Sequence, residues 1–306
     1  MPTLDILIPA FNAEHCLERT LEAIFGQSIP AGLDLGVIVV NNRSTDSTGE
    51  LIERWASKGV RRIDHHDAQG RSSTINTGVA ASKADYVLVL DADCRLAGDD
   101  CLSLVTGAMA QNIDAGFGYA TGASDDFWGR YHRQLEADRV VAGWQGWTTQ
   151  CCLIKRESFE AVNGFPTEYQ HYGFEDRDFI CRLRSFKGIR QLVSLPDLRA
   201  LHDDDTTAQD VFRKTYVSGR YSSGIFKRNH SQEYLATVYA AVDVDTATTS
   251  MVLMLKLLQP IRSLLAHATT WLTQRSSTPM FIGGPAVKLC SALSYFRGTV
   301  DRNRKQ

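Results

Sequence analysis

The most constraining feature of the sequence is a short apolar run that ends in two acidic residues. Residues Tyr86 to Leu90 contain no charged or amide side chain, and Asp91-Ala92-Asp93 follows directly. A strand with one face in water would alternate apolar and polar residues, so the run predicts a strand that is buried on both faces. Open α/β sheets bind ligands beyond the carboxyl ends of their strands. The two carboxylates are therefore candidates for binding a cation, although Asp is also common in loops because it hydrogen-bonds its own backbone.

The segments before this run alternate between strands and helices. Continuous apolar runs predict strands at residues 4–8, 37–40 and 60–63, and helical spacing predicts helices at 14–27, from 51 and from 70. This alternation predicts an α/β fold with a mostly parallel sheet covered by helices. No G-x-G-x-x-G follows the first strand and the P-loop pattern is missing, which argues against both kinds of nucleotide-binding loop.

The character of the chain changes toward its C-terminal end. Strands are predicted at 116–120, 148–154 and 192–195, with helices at 101–109 and from Glu175. Beyond these, only helices are predicted, at 211–221, 234–242 and 250–272, with a kink at Pro260. We therefore expect an α/β domain over residues 1–205 and a helical extension over residues 206–306.

Composition excludes some classes of protein. With 33 basic and 35 acidic residues, the net charge of -2 provides no field that would recruit nucleic acid. The seven cysteines form no C-x-x-C pair, so we expect reduced, mostly buried thiols. The first residues lack a signal-peptide pattern, and no apolar stretch reaches the ~18–20 residues of a spanning helix. We expect a cytoplasmic protein, either free or peripheral on the inner face of the cell membrane.

Several other side chains have two interpretations each. Glu175 and Asp176 open a predicted helix, where acids suit the helix dipole, and an isolated histidine such as His202 usually satisfies a structural hydrogen bond. For four aromatic residues, both core packing and stacking on a substrate are open interpretations: Trp128, Tyr131, Trp144 and Trp147.

The order of these segments resembles glycosyltransferase family 2, whose members are inverting enzymes of GT-A-type fold that use nucleotide-diphospho-sugars. The resemblance rests on five pieces in the family's order: Ile6 to Asn12, Val37 to Asp46, Gly70 to Asn76, Asp91 to Asp93, and Gly173 to Asp176. Each piece is common alone, but their order and spacing are specific to the family.

The resemblance implies roles for individual residues. Asp93 and His202 would bind a divalent cation, Mn²⁺ or Mg²⁺, and Asp176 of the Glu175-Asp176 pair would be the catalytic base. Arg71 would lie near the diphosphate, where a guanidinium suits phosphate oxygens. The full set implied for nucleotide-sugar binding is Pro9, Ala10, Phe11, Asn41, Gly70, Arg71, Asp91 and Ala92.

One position departs from the family's pattern. Asn41 stands where the family usually has an Asp that accepts a hydrogen bond from the uracil ring nitrogen. The Asn carbonyl also accepts a hydrogen bond, but its amide group adds two donors. The resemblance therefore favours a UDP-sugar donor and leaves GDP-sugars and dTDP-sugars open.

The function that the resemblance implies is sugar transfer from the nucleotide to a hydroxyl of a saccharide or lipid-linked saccharide, as in surface polysaccharide assembly. One rival is a nucleotidyltransferase of related fold, but Pro9-Ala10-Phe11-Asn12 is not the Gly-rich, basic loop that it needs. The other rival is a catalytically silent sugar-binding or scaffold protein. For the amphipathic segment 250–272 and the basic C-terminal residues, we expect either an anionic membrane surface or a homodimer interface.

Overall fold

The computed structural model describes residues 2–66, 70–203 and 206–304. The chain divides into two compact units. The first comprises Met1–Ala123, His132–Thr167 and Phe179–Asp204, and the second comprises Ser124–Tyr131, Glu168–Asp178 and Asp205–Gln306.

The first unit contains a mixed sheet. Its strands within the described residues are β1 (Thr3–Ala10), β2 (Asp34–Asn41), β3 (Val60–Asp64), β4 (Tyr86–Leu90), β5 (Cys94–Leu96), β6 (Ala115–Gly122), β7 (Cys151–Lys155) and β8 (Leu192–His202). Their order across the sheet is β3-β2-β1-β4-β7-β6-β8-β5. The first four are parallel, and β8 is parallel to β6, whereas β7 and β5 pair antiparallel to their neighbours. The predicted mostly parallel α/β sheet is confirmed.

Helices cover this sheet and form most of the second unit. Within the described residues they are α1 (Leu17–Phe25), α2 (Thr48–Ala56), α3 (Arg71–Ala81), α4 (Cys101–Ala110), α5 (Phe127–Val141), α6 (Arg156–Ala161), α7 (Glu175–Ser185), α8 (Ala208–Val217), α9 (Ser223–Asn229), α10 (Ser231–Leu235), α11 (Thr249–Leu258), α12 (Arg262–Thr273) and α13 (Met280–Asn303). The boundary between the two units falls inside α5 and inside α7.

Strand β4 is buried on both faces, as its unbroken apolar run predicts. All five of its residues are buried. Leu88 and Leu90 belong to a core cluster with apolar residues of α1, α2 and α4, whereas Val87 and Val89 belong to another with residues of α3 and α6. Successive side chains of a strand point to opposite faces, so the two clusters lie on the two sides of the sheet.

Two strand predictions are corrected near the end of the sheet. The strand predicted at 192–195 extends to His202, because the register against β6 shifts between Phe117 and Tyr119 and leaves Pro196, which has no N–H, outside the regular ladder. Strand β5 was not predicted. It has only three residues and exists because it pairs with β8.

Two helix predictions in the C-terminal part are corrected, and one helix was not predicted. The helix predicted at 234–242 ends at Leu235, where the N–H and hydroxyl of Thr237 both donate to the carbonyl of Tyr234. Pro260 separates α11 from α12 through a short 3-10 turn, rather than kinking one helix. Helix α13 was not predicted; it contains Gly283-Gly284-Pro285, a sequence typical of a loop. Gly283 packs so closely on Phe127 that a Cβ atom would lie 2.8 Å from the Phe127 ring carbon Cζ.

The second unit has a buried polar centre. Asp243 is fully buried, and the guanidinium of Arg302 in α13 lies 3.0 Å from it. The hydroxyl of Tyr234 also donates to Asp243. Among the residues that the structure describes, no helix combines the length and the apolar character needed to cross a membrane. All seven cysteines are buried thiols outside any disulfide bond, as expected.

Candidate active site

The strand ends that bear the predicted ligands lie at one edge of the sheet. Strand β1 pairs in parallel with both β2 and β4, so Ala10, Asn41 and Leu90 end neighbouring strands on the same side. Phe11 and Asp91 follow at this edge. The sheet therefore brings together the nucleoside pieces and the Asp91-Ala92-Asp93 turn that the sequence placed in separate segments.

Arg71 joins helix α3 to this edge. It is the first residue of α3, and the preceding Gly70 has φ +140°, a backbone conformation available to glycine alone. Nη2 of Arg71 lies 2.7 Å from Oδ1 of Asp91, and its Nη1 and Nη2 each donate to Thr149 at 2.9 Å. Arg71, the residue implied to lie near the diphosphate, therefore also holds the Asp91 carboxylate in place.

Asp91-Ala92-Asp93 is held from two sides. The carbonyl of Ala92 accepts a 2.7 Å hydrogen bond from the Thr20 hydroxyl in α1, and the backbone N–H of Asp91 donates to the carbonyl of Gln150. The Asp91 carboxylate pairs with Arg71, whereas the Asp93 carboxylate lies beside His202 of β8.

His202 reaches Asp93 through the pairing of β5 with β8. Cys94 pairs with His202 across these strands, and the N–H of Asp203 donates to the carbonyl of Asp93 at 2.7 Å. Nε2 of His202 lies 3.5 Å from Oδ2 of Asp93. The His132 ring packs edge-on against the His202 ring, with 5.4 Å between centroids. His202 is the last residue of β8, which continues past the strand predicted at 192–195.

The carboxylate and imidazole of this pair are suitable ligands for a divalent cation. Their ligand atoms and the Cys94 sulfur lie within 4.8 Å of one another. Cys94 is fully buried, and burial together with the nearby Asp93 raises the pKa of its thiol well above the ordinary value. Asp93 and His202 contribute the carboxylate and the imidazole of this cluster. One carboxylate and one imidazole favour Mn²⁺ over Mg²⁺.

A third carboxylate near this pair orders its surroundings. Asp203 accepts hydrogen bonds from Nε and Nη2 of Arg95, and Nε of Arg19 lies 3.7 Å from it. The Asp203 carboxylate is therefore paired with two guanidinium groups of the protein. Asp203 follows His202 directly, but its partner Arg95 could not be recognised from sequence because the pairing depends on β5.

Asn41 has both ends of its amide bonded within the protein. Its Oδ1 accepts from the N–H of Ser44 at 3.2 Å, and its Nδ2 donates to Oδ1 of Asp64 at 3.0 Å. Burial alone would raise the pKa of Asp64, but hydrogen bonds from Arg62 and Asn41 outweigh this effect and hold its pKa below the ordinary value. The ionised carboxylate of Asp64, the last residue of β3, therefore lies beside Asn41. The sequence signal was an acid directly after the third predicted strand.

The other residues implied for the nucleoside differ in exposure. Ala10 is buried within β1, and the Phe11 side chain is 56% exposed at its end. An exposed aromatic ring at a ligand-binding edge is suited to packing on a base. Of the four aromatic residues with two interpretations, Trp128 and Tyr131 are buried against Phe127, and Trp147 stacks on Phe117, so these three pack in the protein.

Glu175 and Asp176 begin helix α7 within the second unit. Oε2 of Glu175 accepts the N–H of Gly173 at 2.8 Å, so this acid closes the turn that precedes the helix. Asp176 is the next residue and is partly exposed. Gly173 and Phe174 both have positive φ, at +107° and +71°.

The mostly parallel, helix-covered sheet, with an Asp-x-Asp turn after β4 and a histidine beside the second acid, has the architecture of a GT-A-type fold. The chain belongs to glycosyltransferase family 2: the family model "Glycosyl transferase family 2" matches residues 5–184, more than half of the chain. The resemblance and the GT-A-type fold that the sequence predicted are confirmed.

Individual relatives give the same assignment. The chain is 32% identical over 241 residues to hyaluronan synthase of Pasteurella multocida, covering 75% of this chain and 22% of that protein. It is 28% identical over 183 residues to the glycosyltransferase EpsJ of Bacillus subtilis, covering 53% and 51%. The chain thus spans about half the length of one curated relative and about a fifth of the other.

The solved structures agree in fold. The mannosyltransferase PcManGT of Pyrobaculum calidifontis, solved in complex with GDP-Man and Mn²⁺, has a TM-score of 0.64 and 18% identity, with 99% of this chain and 87% of that chain covered. At this identity the likeness concerns the fold.

Proposed function

We propose that the chain is a metal-dependent, inverting glycosyltransferase that moves a sugar from a nucleotide-diphospho-sugar to a saccharide or lipid-linked saccharide. The single observation that carries the proposal is the Asp93–His202 pair, 3.5 Å apart, at the edge where Arg71 holds Asp91. A family 2 domain with these four side chains in place has the parts that donor binding needs.

Asp93 and His202 would hold a divalent cation, Mn²⁺ or Mg²⁺. When bound, such an ion supplies Lewis-acid stabilisation of the negative charge that grows on the departing diphosphate. Two structural neighbours support this assignment: the Pyrobaculum enzyme was solved in complex with GDP-Man and Mn²⁺, and glucosyl-3-phosphoglycerate synthase of Mycobacterium tuberculosis in complex with Mn²⁺, UDP and phosphoglyceric acid.

The transfer step needs a base and no enzyme nucleophile. The acceptor hydroxyl gives its proton to the Asp176 carboxylate as its oxygen attacks the anomeric carbon. The bond from that carbon to the diphosphate oxygen breaks, and the nucleoside diphosphate leaves with the electron pair. A single displacement inverts the anomeric centre. Glu175 assists by closing the turn that carries Asp176.

The donor nucleotide is proposed as a UDP-sugar, with GDP-sugars and dTDP-sugars as the tested alternatives. Asn41 and Asp64 together present an amide and an ionised carboxylate where the family has one Asp. The GDP-Man complex of the structural neighbour supports keeping guanine in the comparison.

A donor panel tests the proposal directly. UDP-glucose, UDP-N-acetylglucosamine, GDP-mannose and dTDP-glucose are each incubated with the protein and Mn²⁺, and release of nucleoside diphosphate to water is measured. We expect release from at least one donor, abolished by chelator, and a loss of ~100-fold or more in Asp176→Asn with donor-dependent thermal stabilisation retained. No release from the whole panel, with no donor raising the melting temperature, would reject the proposal.

The acceptor is proposed to lie at a membrane because of the surface of α11 and α12. Residues 246–300 contain five Lys or Arg and no Asp or Glu. Leu257 and Leu264 are each 70% exposed within this segment, and Trp271 is 57% exposed. Exposed apolar side chains among basic ones fit an anionic lipid surface. The names of relatives that make polysaccharides or act on undecaprenol-linked sugars support such an acceptor.

Flotation with vesicles of phosphatidylglycerol and phosphatidylcholine tests the membrane surface. We expect the protein to float, and Leu257→Glu with Leu264→Glu to abolish flotation, while Val141→Glu, at a residue 89% exposed elsewhere, leaves it unchanged. Failure of the wild-type protein to float rejects the membrane surface. If the same double variant instead turns a dimer into a monomer in sedimentation, the surface is a homodimer interface.

A further inference from the structure

The turn that carries the proposed base has a backbone that cannot hold its shape alone. Phe174, with φ +71°, occupies a conformation that costs a non-glycine residue roughly 1–2 kcal/mol. Gly173 precedes it at φ +107°. A strained turn persists only where its surroundings over-determine it. The surroundings of this turn, within the second unit, are the residues of the helical extension.

Aromatic packing and one hydroxyl hold the turn before α7. The Phe174 ring is buried and stacks on Phe226 of α9, with 5.0 Å between centroids and 19° between planes. The hydroxyl of Ser222, which immediately precedes α9, donates to the carbonyls of His171 and Tyr172 at 3.2 Å and 3.0 Å. Both contacts fix the chain on the N-terminal side of Asp176.

A buried carboxylate fixes the chain on the other side. Asp178 is 1% exposed. Its Oδ2 accepts from the Tyr169 hydroxyl at 3.0 Å and lies 3.2 Å from Nε2 of His230, the residue between α9 and α10. A buried carboxylate is stable only with such partners, so Asp178 stays where Tyr169 and His230 place it.

We propose that Phe226, Ser222 and His230 are positioning residues that set the place of the Asp176 carboxylate by fixing Phe174 and Asp178 on either side of it. The helical extension is then part of the catalytic apparatus and not only an attachment surface. The proposal rests on the role of Asp176 given above. A general base must lie within hydrogen-bond reach of the proton it takes, and a displacement of about 1 Å costs up to ~100-fold in rate.

The His230 contact is tested with a pair of substitutions and a control. His230→Leu keeps the volume and removes the ring nitrogen, whereas His230→Gln offers an amide N–H at similar reach. With the panel donor that is hydrolysed fastest, we expect His230→Leu to lower kcat by ~10-fold or more with KM for the donor within about twofold. His230→Gln recovers most of the loss. Gln232→Ala, at an exposed residue of α10, leaves both constants unchanged.

A second pair of variants covers the case in which His230→Leu fails to fold. Ser222→Ala removes the hydroxyl that holds His171 and Tyr172. Ser223→Ala removes an equally buried neighbouring hydroxyl whose partners are the carbonyl of Gly219 and the guanidinium of Arg302. We expect similar losses of melting temperature in the two variants, but a lowered kcat in Ser222→Ala alone.

The outcomes separate this inference from the proposed function. If Asp176→Asn is inactive while His230→Leu and Ser222→Ala keep wild-type kcat, Asp176 is the base and the positioning role is wrong. If Ser222→Ala and Ser223→Ala lose kcat equally, the contacts serve stability alone and the positioning role is also wrong. If Asp176→Asn keeps wild-type kcat, the assignment of the base itself fails.

Discussion

Arg71→Lys is the substitution that most directly tests how the site is assembled. Arg71 contacts Asp91 through Nε and Nη2 and Thr149 through Nη1 and Nη2, at 2.7–2.9 Å. A lysine keeps the positive charge, but its single ammonium group lacks the planar fork that spans both partners. We expect the ion pair with Asp91 to survive and the two hydrogen bonds to Thr149 to be lost.

The expected magnitude follows from the burial of the partners. Thr149 is fully buried, and the side chains of Arg71 and Asp91 are 23% and 20% exposed. Two hydrogen bonds at roughly 0.5–1.5 kcal/mol each predict that the free energy of unfolding falls by about 1–2 kcal/mol, after allowing for access of water to the guanidinium. The matched control is Arg54→Lys, at an exposed arginine of α2, with an expected change below about 0.5 kcal/mol.

Urea unfolding without donor, followed by tryptophan fluorescence, isolates this effect from phosphate binding. The same variant should also raise KM for the nucleotide-sugar, because a point charge replaces a bidentate donor to phosphate oxygens. If Arg71→Lys unfolds at the urea concentration of the wild-type protein, the contacts to Thr149 contribute nothing and the reasoning is refuted.

Three further predictions concern the turn, the sheet and the metal ligands. Gly173→Ala should lower the free energy of unfolding by roughly 1–3 kcal/mol, because φ is +107° and the new Cβ would meet Ser218 Cβ at 2.8 Å; thermal unfolding measures it. Burial opposes ionisation of Asp114, but hydrogen bonds from Gln191, Ser158 and Arg190 outweigh this effect and lower its pKa. Ionised Asp114 should therefore contribute fully to the free energy of unfolding above pH ~4, and this contribution should vanish as the pH falls through the lowered pKa. Unfolding of Asp114→Asn against wild type between pH 3 and 7 would show parallel curves if this is wrong. His202→Ala should abolish Mn²⁺-dependent thermal stabilisation, and undiminished stabilisation would exclude His202 as a ligand.

The nucleoside end of the site shows how far local sequence signals reach. Asp91 and Asp93 could be placed at the sheet edge because an apolar run leading into acids is encoded by neighbouring residues. The partner of Asn41 could not be identified in the same way. Asp64 reaches Asn41 only because β3 pairs with β2 in the register that sets Asn41 opposite Asp64.

The C-terminal part shows the same limit for helices. Periodicity predicts α8, α11 and α12 approximately, since each has an apolar face of its own. Helix α13 starts at Met280 and contains Gly283-Gly284-Pro285, a sequence that favours a loop; Gly283 packs closely on the Phe127 ring. Local propensity is a weak signal where tertiary packing supplies the larger free energy.

By itself, the sequence determined the buried parallel strands, the acids that follow them, the positive-φ turns at Gly70 and Gly173, and the family to which these pieces belong. Only the tertiary structure decided which groups meet: Arg71 with Asp91, His202 with Asp93 through a three-residue strand, and Asp178 with His230. The physical reason is that burial and turn geometry depend on residues a few positions apart. Contacts between side chains distant in the chain depend on strand register and helix packing, which emerge only when the whole core forms.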